Sequence, residues 1–359
     1  MAKTKKGVFV VLILIMTVLV AACGENKGKS GENGGADPEK ETDKKIRIGI
    51  AMKTEVQPRW KFDLQYMQEK AKELNAELIV QWANDDVSKQ ANQVENLLSQ
   101  GIDVLVIVPV SDKTGPVVDK AKSAGVPVIA YDAMIQNSDI DLYVTRNNYK
   151  VGELQAEAAL KYTGGKGNFV LLKGDPATTV AQGIAQAYEK ILKTNANISI
   201  VAEQWHQNWS TEKALKTAED ALSAQNDNIQ AFVSSNDGMA MGITQAVKGR
   251  DLDGKVFISG LDVEVGSARL IAEGIQTMSV WTKLDEGAKR TIEAAVELAK
   301  GETPQADEVT NNGKKDVPTL AVDVVEVNKD NLCTFINEMA PTGWMTEEEV
   351  FVNVPNACK

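Results

Sequence analysis

Histidine is almost missing from this chain: His206 is the only one in 359 residues. That excludes a metal site built from several histidines, and a Ser-His-Asp triad would have to rest on this single side chain. Cysteine is scarce as well. Besides Cys23 there are only Cys333 and Cys358; no zinc pattern can be drawn, and outside the cell the last two either close a disulfide around the C-terminal tail or stand as unrelated thiols. Positive charge is in deficit, with 39 Lys and Arg against 50 Asp and Glu and a net charge of -11. This argues against nucleic acid as a partner. Gly164-Gly165-Lys166-Gly167 lacks the spacing of a phosphate loop, and Asp251-Leu252-Asp253-Gly254 lacks the later ligands of a calcium loop, so both read as turns. No metal, no cofactor and no enzymatic base-nucleophile pair is expected.

The one long hydrophobic run is at the start. Lys3, Lys5 and Lys6 precede an apolar stretch over 8–20 that is short for a membrane span, the pattern of a targeting segment over 1–22. Leu19-Val20-Ala21-Ala22-Cys23-Gly24 then has the small residues before a cysteine of a bacterial lipoprotein signal, with Cys23 as the lipidation site; an ordinary signal peptide with an incidental Cys23 is the alternative. Residues 23–45 are mostly Gly, Lys, Glu, Asn and Asp, cannot bury a core, and read as a flexible tether. The folded part is expected to be extracytoplasmic, held at the cell membrane by the lipid on Cys23.

The rest is built from one repeated unit, clearest over 101–132. Residues 104–108 and 126–130 are continuous apolar runs suited to strands buried on both faces, and between them 114–124 has helical spacing closed by Gly125. The same alternation places strands at 45–52 and 76–82 and a helix over 59–75 whose stripe is Trp60, Leu64, Met67, Ala71 and Leu74. It predicts an α/β protein of two doubly wound parallel-sheet lobes. The N-terminal lobe is expected to comprise 46–147 and 281–310 and the C-terminal lobe 148–280 and 311–340, with a tail over 341–359. Three crossings are expected, the first at Arg146-Asn147-Asn148 and the third at Asn311-Asn312-Gly313.

Ligands in open parallel sheets sit beyond the carboxyl ends of the strands. Those ends carry Pro109-Val110-Ser111-Asp112, Tyr131-Asp132, Ser235-Asn236-Asp237 and Gly260-Leu261-Asp262. With Arg59, Trp60, Arg146, Asn147, Thr178 and Trp209 they give a candidate site of carboxylates, amides, a guanidinium and indoles. Such groups satisfy the hydroxyls of a polyol, which both donate and accept, and an indole covers the C–H face of a sugar ring. Trp60 begins an apolar stripe, so it faces either the cleft or the core. Asp132 is either a ligand contact or a turn residue.

Taken together, Arg59-Trp60, Ala130-Tyr131-Asp132, Val151-Gly152-Glu153-Leu154-Gln155-Ala156, Gln204-Trp205, Trp209, Ser235-Asn236-Asp237, Ser259-Gly260-Leu261-Asp262, Gln276-Thr277-Met278 and Asn311-Asn312-Gly313 resemble the D-xylose-binding proteins of bacterial sugar ABC transporters. The likeness runs over residues 45–332 in one register. It implies the type I periplasmic-binding-protein fold, with sugar enclosed between two lobes joined by three crossings, and an ABC permease as partner of a monomer. Arg59, Asp132, Trp209, Asn236 and Asp262 match sugar contacts of the family. The departures are Ala133 for an arginine, Thr178-Thr179-Val180 for Asp-Asn-Asn, Thr282 for a lysine with Lys283 adjacent, and Arg146-Asn147-Asn148 for Phe-Asp-Asn. Ala133 and Val180 suit a larger or less hydroxylated ligand; Arg146, if it points into the cleft, suits an acidic one. The sequence therefore reads as a lipid-anchored binding protein for a monosaccharide, D-xylose or a related aldose, serving an importer. Other readings are a module that signals to a membrane histidine kinase and a binding protein for a different solute.

Overall fold

The computed structural model describes residues 45–57, 59–111, 114–354 and 358. Cys23, the targeting segment and Asp112 lie outside the described residues. The chain forms β1 (Arg47–Met52), α1 (Arg59–Glu73), β2 (Glu77–Trp82), α2 (Val87–Ser99), β3 (Val104–Ile107), α3 (Gly115–Ser123), β4 (Val128–Tyr131) and β5 (Leu142–Arg146). It continues through α4 (Asn148–Thr163), β6 (Gly167–Lys173), α5 (Thr179–Ile191), β7 (Ile198–Trp205), α6 (Thr211–Ala224), β8 (Ala231–Ser234), α7 (Asp237–Lys248), β9 (Phe257–Ile258) and α8 (Val265–Ala272). Last come β10 (Met278–Thr282), α9 (Leu284–Ala299), β11 (Glu308–Asn311), β12 (Asp316–Val322) and β13 (Val324–Asn328), before a tail with short helical turns.

Two sheets result. The first runs β11-β12-β5-β4-β3-β1-β2, parallel except for the β11–β12 hairpin. The second is the parallel set β7-β6-β8-β9, continued through a bridge between Leu261 and Val280 to the antiparallel pair β10–β13. Successive strand residues point to opposite faces, and in the inner strands β1, β3, β4, β6 and β8 both faces are buried. Ile48, Ile50, Val104 and Val106 enter the core under α1 and α9, whereas Ala51, Leu105 and Ile107 enter the core under α2 and α3. The second sheet divides in the same way, with Phe169 and Leu171 on the α4–α5 side and Val170 and Leu172 on the α6–α7 side.

One predicted boundary is corrected. Asn311-Asn312-Gly313 was expected to be the third crossing, but it turns the hairpin from β11 into β12, and β12 pairs in parallel with β5 of the first sheet. The chain leaves that sheet at Asp323, so 311–322 belong with the N-terminal lobe. The second crossing falls at Thr282-Lys283, because Trp281 is still within β10 of the second sheet. Helices α7 and α8 were not anticipated. Met239, Ala240, Ile243 and Val247 bury one face of α7, and Asn236 caps its first turn by accepting from the Met239 amide at 3.0 Å.

Candidate ligand-binding cleft

The ends of β1, β3, β4 and β5 face the ends of β6, β8 and β9 across a narrow cavity walled by both lobes. The first lobe lines it with Lys53, Gln57, Arg59, Trp60, Val108, Pro109, Asp132, Ala133 and Arg146; the second contributes Thr178, Val180, Trp209, Asn236, Leu261 and Asp262. Of the candidate contacts Arg59, Trp60, Asp132, Arg146, Asn147, Thr178, Trp209, Asn236 and Asp262, eight converge here. The exception is Asn147, which is exposed and caps α4 by accepting from the Lys150 amide at 2.9 Å.

Arg59 is the hub. Its Nε donates to Asp63 Oδ2 at 3.2 Å, its Nη1 lies 3.1 Å from Asp132 Oδ1 and 3.7 Å from Asp262 Oδ1, and its guanidinium stacks 4.4 Å from the Trp60 ring. Burial disfavours its charge, but Asp132, Asp63 and Asp262 together outweigh that and raise its pKa further above the ordinary value. Asp132 Oδ1 also accepts from Arg146 Nη1 at 3.0 Å. Burial raises the pKa of this carboxyl, and Arg59, Arg146 and Lys53 more than reverse it, so Asp132 is held below its usual range. Behind them Asp63 accepts from Arg59 and from the Tyr131 hydroxyl at 2.8 Å.

Local backbone explains why these side chains reach the cavity. Asp132 and Asp262 each follow a strand in the left-handed region, at φ 70° and 98°, a conformation that aspartate tolerates better than most residues. The Asp132 carbonyl accepts from Tyr143 at 3.0 Å and Thr145 at 2.9 Å, and the Asp262 amide donates to Val280 at 2.9 Å. Trp209 follows Asn208 in a tight turn with φ 58° and 54°. Its ring lies on Gly174, where a Cβ would fall 2.2 Å from the indole, so only glycine admits it. Trp60 does both things its position allowed. It packs in the core under α1, donates Nε1–H to Gln57 at 2.9 Å and presents an edge to the cavity.

On the far side a second group of carboxyls lies close enough to Asp262 to be repelled by it. Asp237 is wholly buried, and burial together with Glu264 pushes its pKa up to about 8; Glu264 is pushed up to about 7 by burial and by Asp262. Asp237 accepts from Ser279 at 2.7 Å, the Glu264 amide at 2.8 Å and Gln276 at 3.2 Å. His206 is elsewhere, buried between the Lys173 carbonyl and Thr217 at 3.0 and 3.1 Å, and burial lowers its pKa.

Ala133, Thr178 and Thr179 have partners of their own, whereas the buried Thr282 hydroxyl has none among the described residues. Ala133, on the first lobe, packs against the core of the second that contains Val180, and the Met134 amide donates to Thr179 Oγ1 at 3.1 Å. Thr178 caps α5, accepting from the Ala181 amide at 3.3 Å. Thr282 is buried beside a smaller adjoining cavity, and Lys283 turns away to Asp323 at 3.5 Å. Lys53 and Gln57 line the cavity but were missed; Lys53 directly follows β1, so the strand-end rule applied elsewhere would have found it.

The sequence pattern of the periplasmic binding protein domain matches residues 48–303. The chain belongs to that family. Its members are solute-binding proteins, and two relatives are D-xylose-binding periplasmic proteins. The one from Escherichia coli K12 is 41% identical over 80% of this chain and 88% of its own length; the one from Haemophilus influenzae is 38% identical over 86% and 93%. An ABC transporter solute-binding protein from Clostridium phytofermentans, solved with bound β-D-glucose, superposes with a TM-score of 0.76 at 26% identity, covering 85% of this chain and 99% of that one. The resemblance to D-xylose-binding proteins thus extends over most of the periplasmic binding protein fold described here.

Proposed function

We propose that this chain is the binding protein of an ABC importer for a neutral monosaccharide, D-xylose or a related aldose, held outside the cytoplasmic membrane by a lipid on Cys23. The observation that carries the reading is the charge balance of a cleft lined by hydrogen-bonding groups. Arg59 and Arg146 are joined with Asp63, Asp132 and Asp262 in one connected set, and Lys53, which lines the same cavity and acts on Asp132, brings the positive charges to the same number. A carboxylate or phosphate on the ligand would upset that balance, whereas hydroxyls can accept from the guanidinium groups and donate to Asp132 and Asp262. This favours a neutral sugar over the acidic ligand that Arg146 alone would suit. Trp209 supplies the apolar face for ring C–H groups.

Sugar held by both lobes favours their closed arrangement, which is the form presented to a permease. Calorimetric titration of the protein lacking residues 1–23 against D-xylose, then other pentoses, hexoses and acidic sugars, tests the reading. Micromolar binding, about 8 kcal/mol, is expected for at least one aldose. Heat only from an acidic sugar, or from none of the panel, would overturn it.

A further inference from the structure

The tail beyond residue 332 lies past the matched domain at 48–303. It is not loose. Cys333 and Cys358 are joined with their Cα atoms 5.5 Å apart, and Phe335, Trp344, Val350 and Phe351 form a buried cluster with Trp281 and Leu284. Those last two residues flank the second crossing between the lobes.

Trp344 touches every part of the machine around that crossing. Its indole Nε1–H donates to the Val263 carbonyl at 2.8 Å. Val263 has φ 50° and follows Asp262 at φ 98°, so a β-branched residue is held in the left-handed region immediately after a cleft carboxylate. The indole also lies 5.0 Å from the Trp281 ring and 4.8 Å from Phe62. Phe62 is on α1 of the other lobe, between Arg59 and Asp63. One side chain therefore contacts the backbone that aims Asp262, the crossing, and the helix that carries Arg59.

We infer that Trp344 is a positioning residue for sugar binding, through which the disulfide-closed tail holds Asp262 in its ligand-facing conformation. The inference rests on the cleft being the sugar site. Trp344→Phe keeps a ring against Phe62 and Trp281 but removes the donor to Val263. It is expected to weaken affinity for the best-binding aldose of the panel about tenfold, mostly through faster dissociation. Val263→Gly relieves the left-handed strain, so Trp344→Phe with Val263→Gly is expected to regain most of that affinity while its melting temperature falls further. A merely structural tryptophan would not separate the two readouts in this way.

Unchanged affinity in Trp344→Phe, or a double variant no better than the single, overturns the inference. Should the single variant fail to fold, exchange of the Trp344 indole proton in the wild-type protein gives the answer. Slowing of at least about fivefold on saturation with the sugar supports coupling, and an unchanged rate overturns it. Wild-type protein that binds no sugar would sink both this inference and the reading beneath it; wild-type binding with an indifferent Trp344 sinks only this one.

Discussion

Arg59 holds two carboxylates on its own lobe and lies 3.7 Å from a third on the other, so its removal should be felt twice. Arg59→Ala strands Asp63 and Asp132 in a buried site with only Arg146 and Lys53 nearby to compensate. Loss of one partner from a buried ion pair costs about 3–5 kcal/mol, and urea unfolding should show a loss of that order. The same variant loses a donor to the ligand and the ordering of Asp132, so sugar affinity should fall more than about 100-fold by calorimetry, roughly 2.7 kcal/mol. A variant that binds normally would place the sugar away from Arg59. Much of the cleft was legible at this scale because strand ends in a parallel sheet must converge on one edge, and Asp132, Asn236 and Asp262 are polar residues at such ends. Lys53 was passed over because a lysine after a strand is usually solvated. Arg146 could not be resolved from sequence, since nothing local to β5 says that its guanidinium turns inward to Asp132 rather than out to water.

At the level of elements, the continuous apolar runs of β1, β3, β4, β6 and β8 declared themselves, and the helices between them followed from spacing. The β11–β12 hairpin did not. Its Asn-Gly pair is a hairpin signal, but β11 is four residues with an exposed face, so no alternation announced a strand. What fixes the hairpin is tertiary. Buried Asn312 donates to the Ile135 and Ser138 carbonyls at 3.2 and 2.7 Å and accepts from the Lys314 and Lys315 amides at 3.1 and 3.0 Å. It ties the turn to the loop that follows β4 and Asp132. Asn312→Ala leaves the Ile135 and Ser138 carbonyls, both in buried residues, without this donor, and about 2–3 kcal/mol of stability should be lost, read as a lower urea midpoint with an unchanged slope. Because the same loop leads out of Asp132, a modest loss of sugar affinity should accompany it. Stability equal to wild type would mean that solvent or neighbouring groups satisfy these carbonyls and that the hairpin is held by strand pairing alone.

At the scale of the whole molecule, the cleft is closed around its polar groups: Arg59 is 6% exposed, and residues of both lobes wall the cavity. A sugar cannot enter such an arrangement unless the lobes separate, so an open form must be populated. Among the described residues, the polar contacts from the first lobe to the second at the cleft include Met134 to Thr179 and Arg59 to Asp262. The first nets about 1 kcal/mol as a hydrogen bond, and the second, at 3.7 Å, is too long for one, so together these polar contacts do little to hold two domains shut against solvent. A ligand with several hydroxyls, bonded to Arg59 and Asp132 on one side and to Asn236 and Asp262 on the other, adds bonds that exist only when the lobes are together. At a sugar concentration of 100 times Kd the bound form gains about 2.7 kcal/mol, enough to move a near-balanced equilibrium mostly to the closed side. X-ray scattering should therefore give a smaller radius of gyration with saturating sugar than without. In Asp262→Ala, which removes a C-terminal-lobe partner but leaves Arg59 and Asp132 in place, the same sugar concentration should produce little compaction. An identical scattering curve with and without sugar that calorimetry shows to be bound would mean that the closed form already dominates in the free protein, and that ligand selects it without driving the hinge.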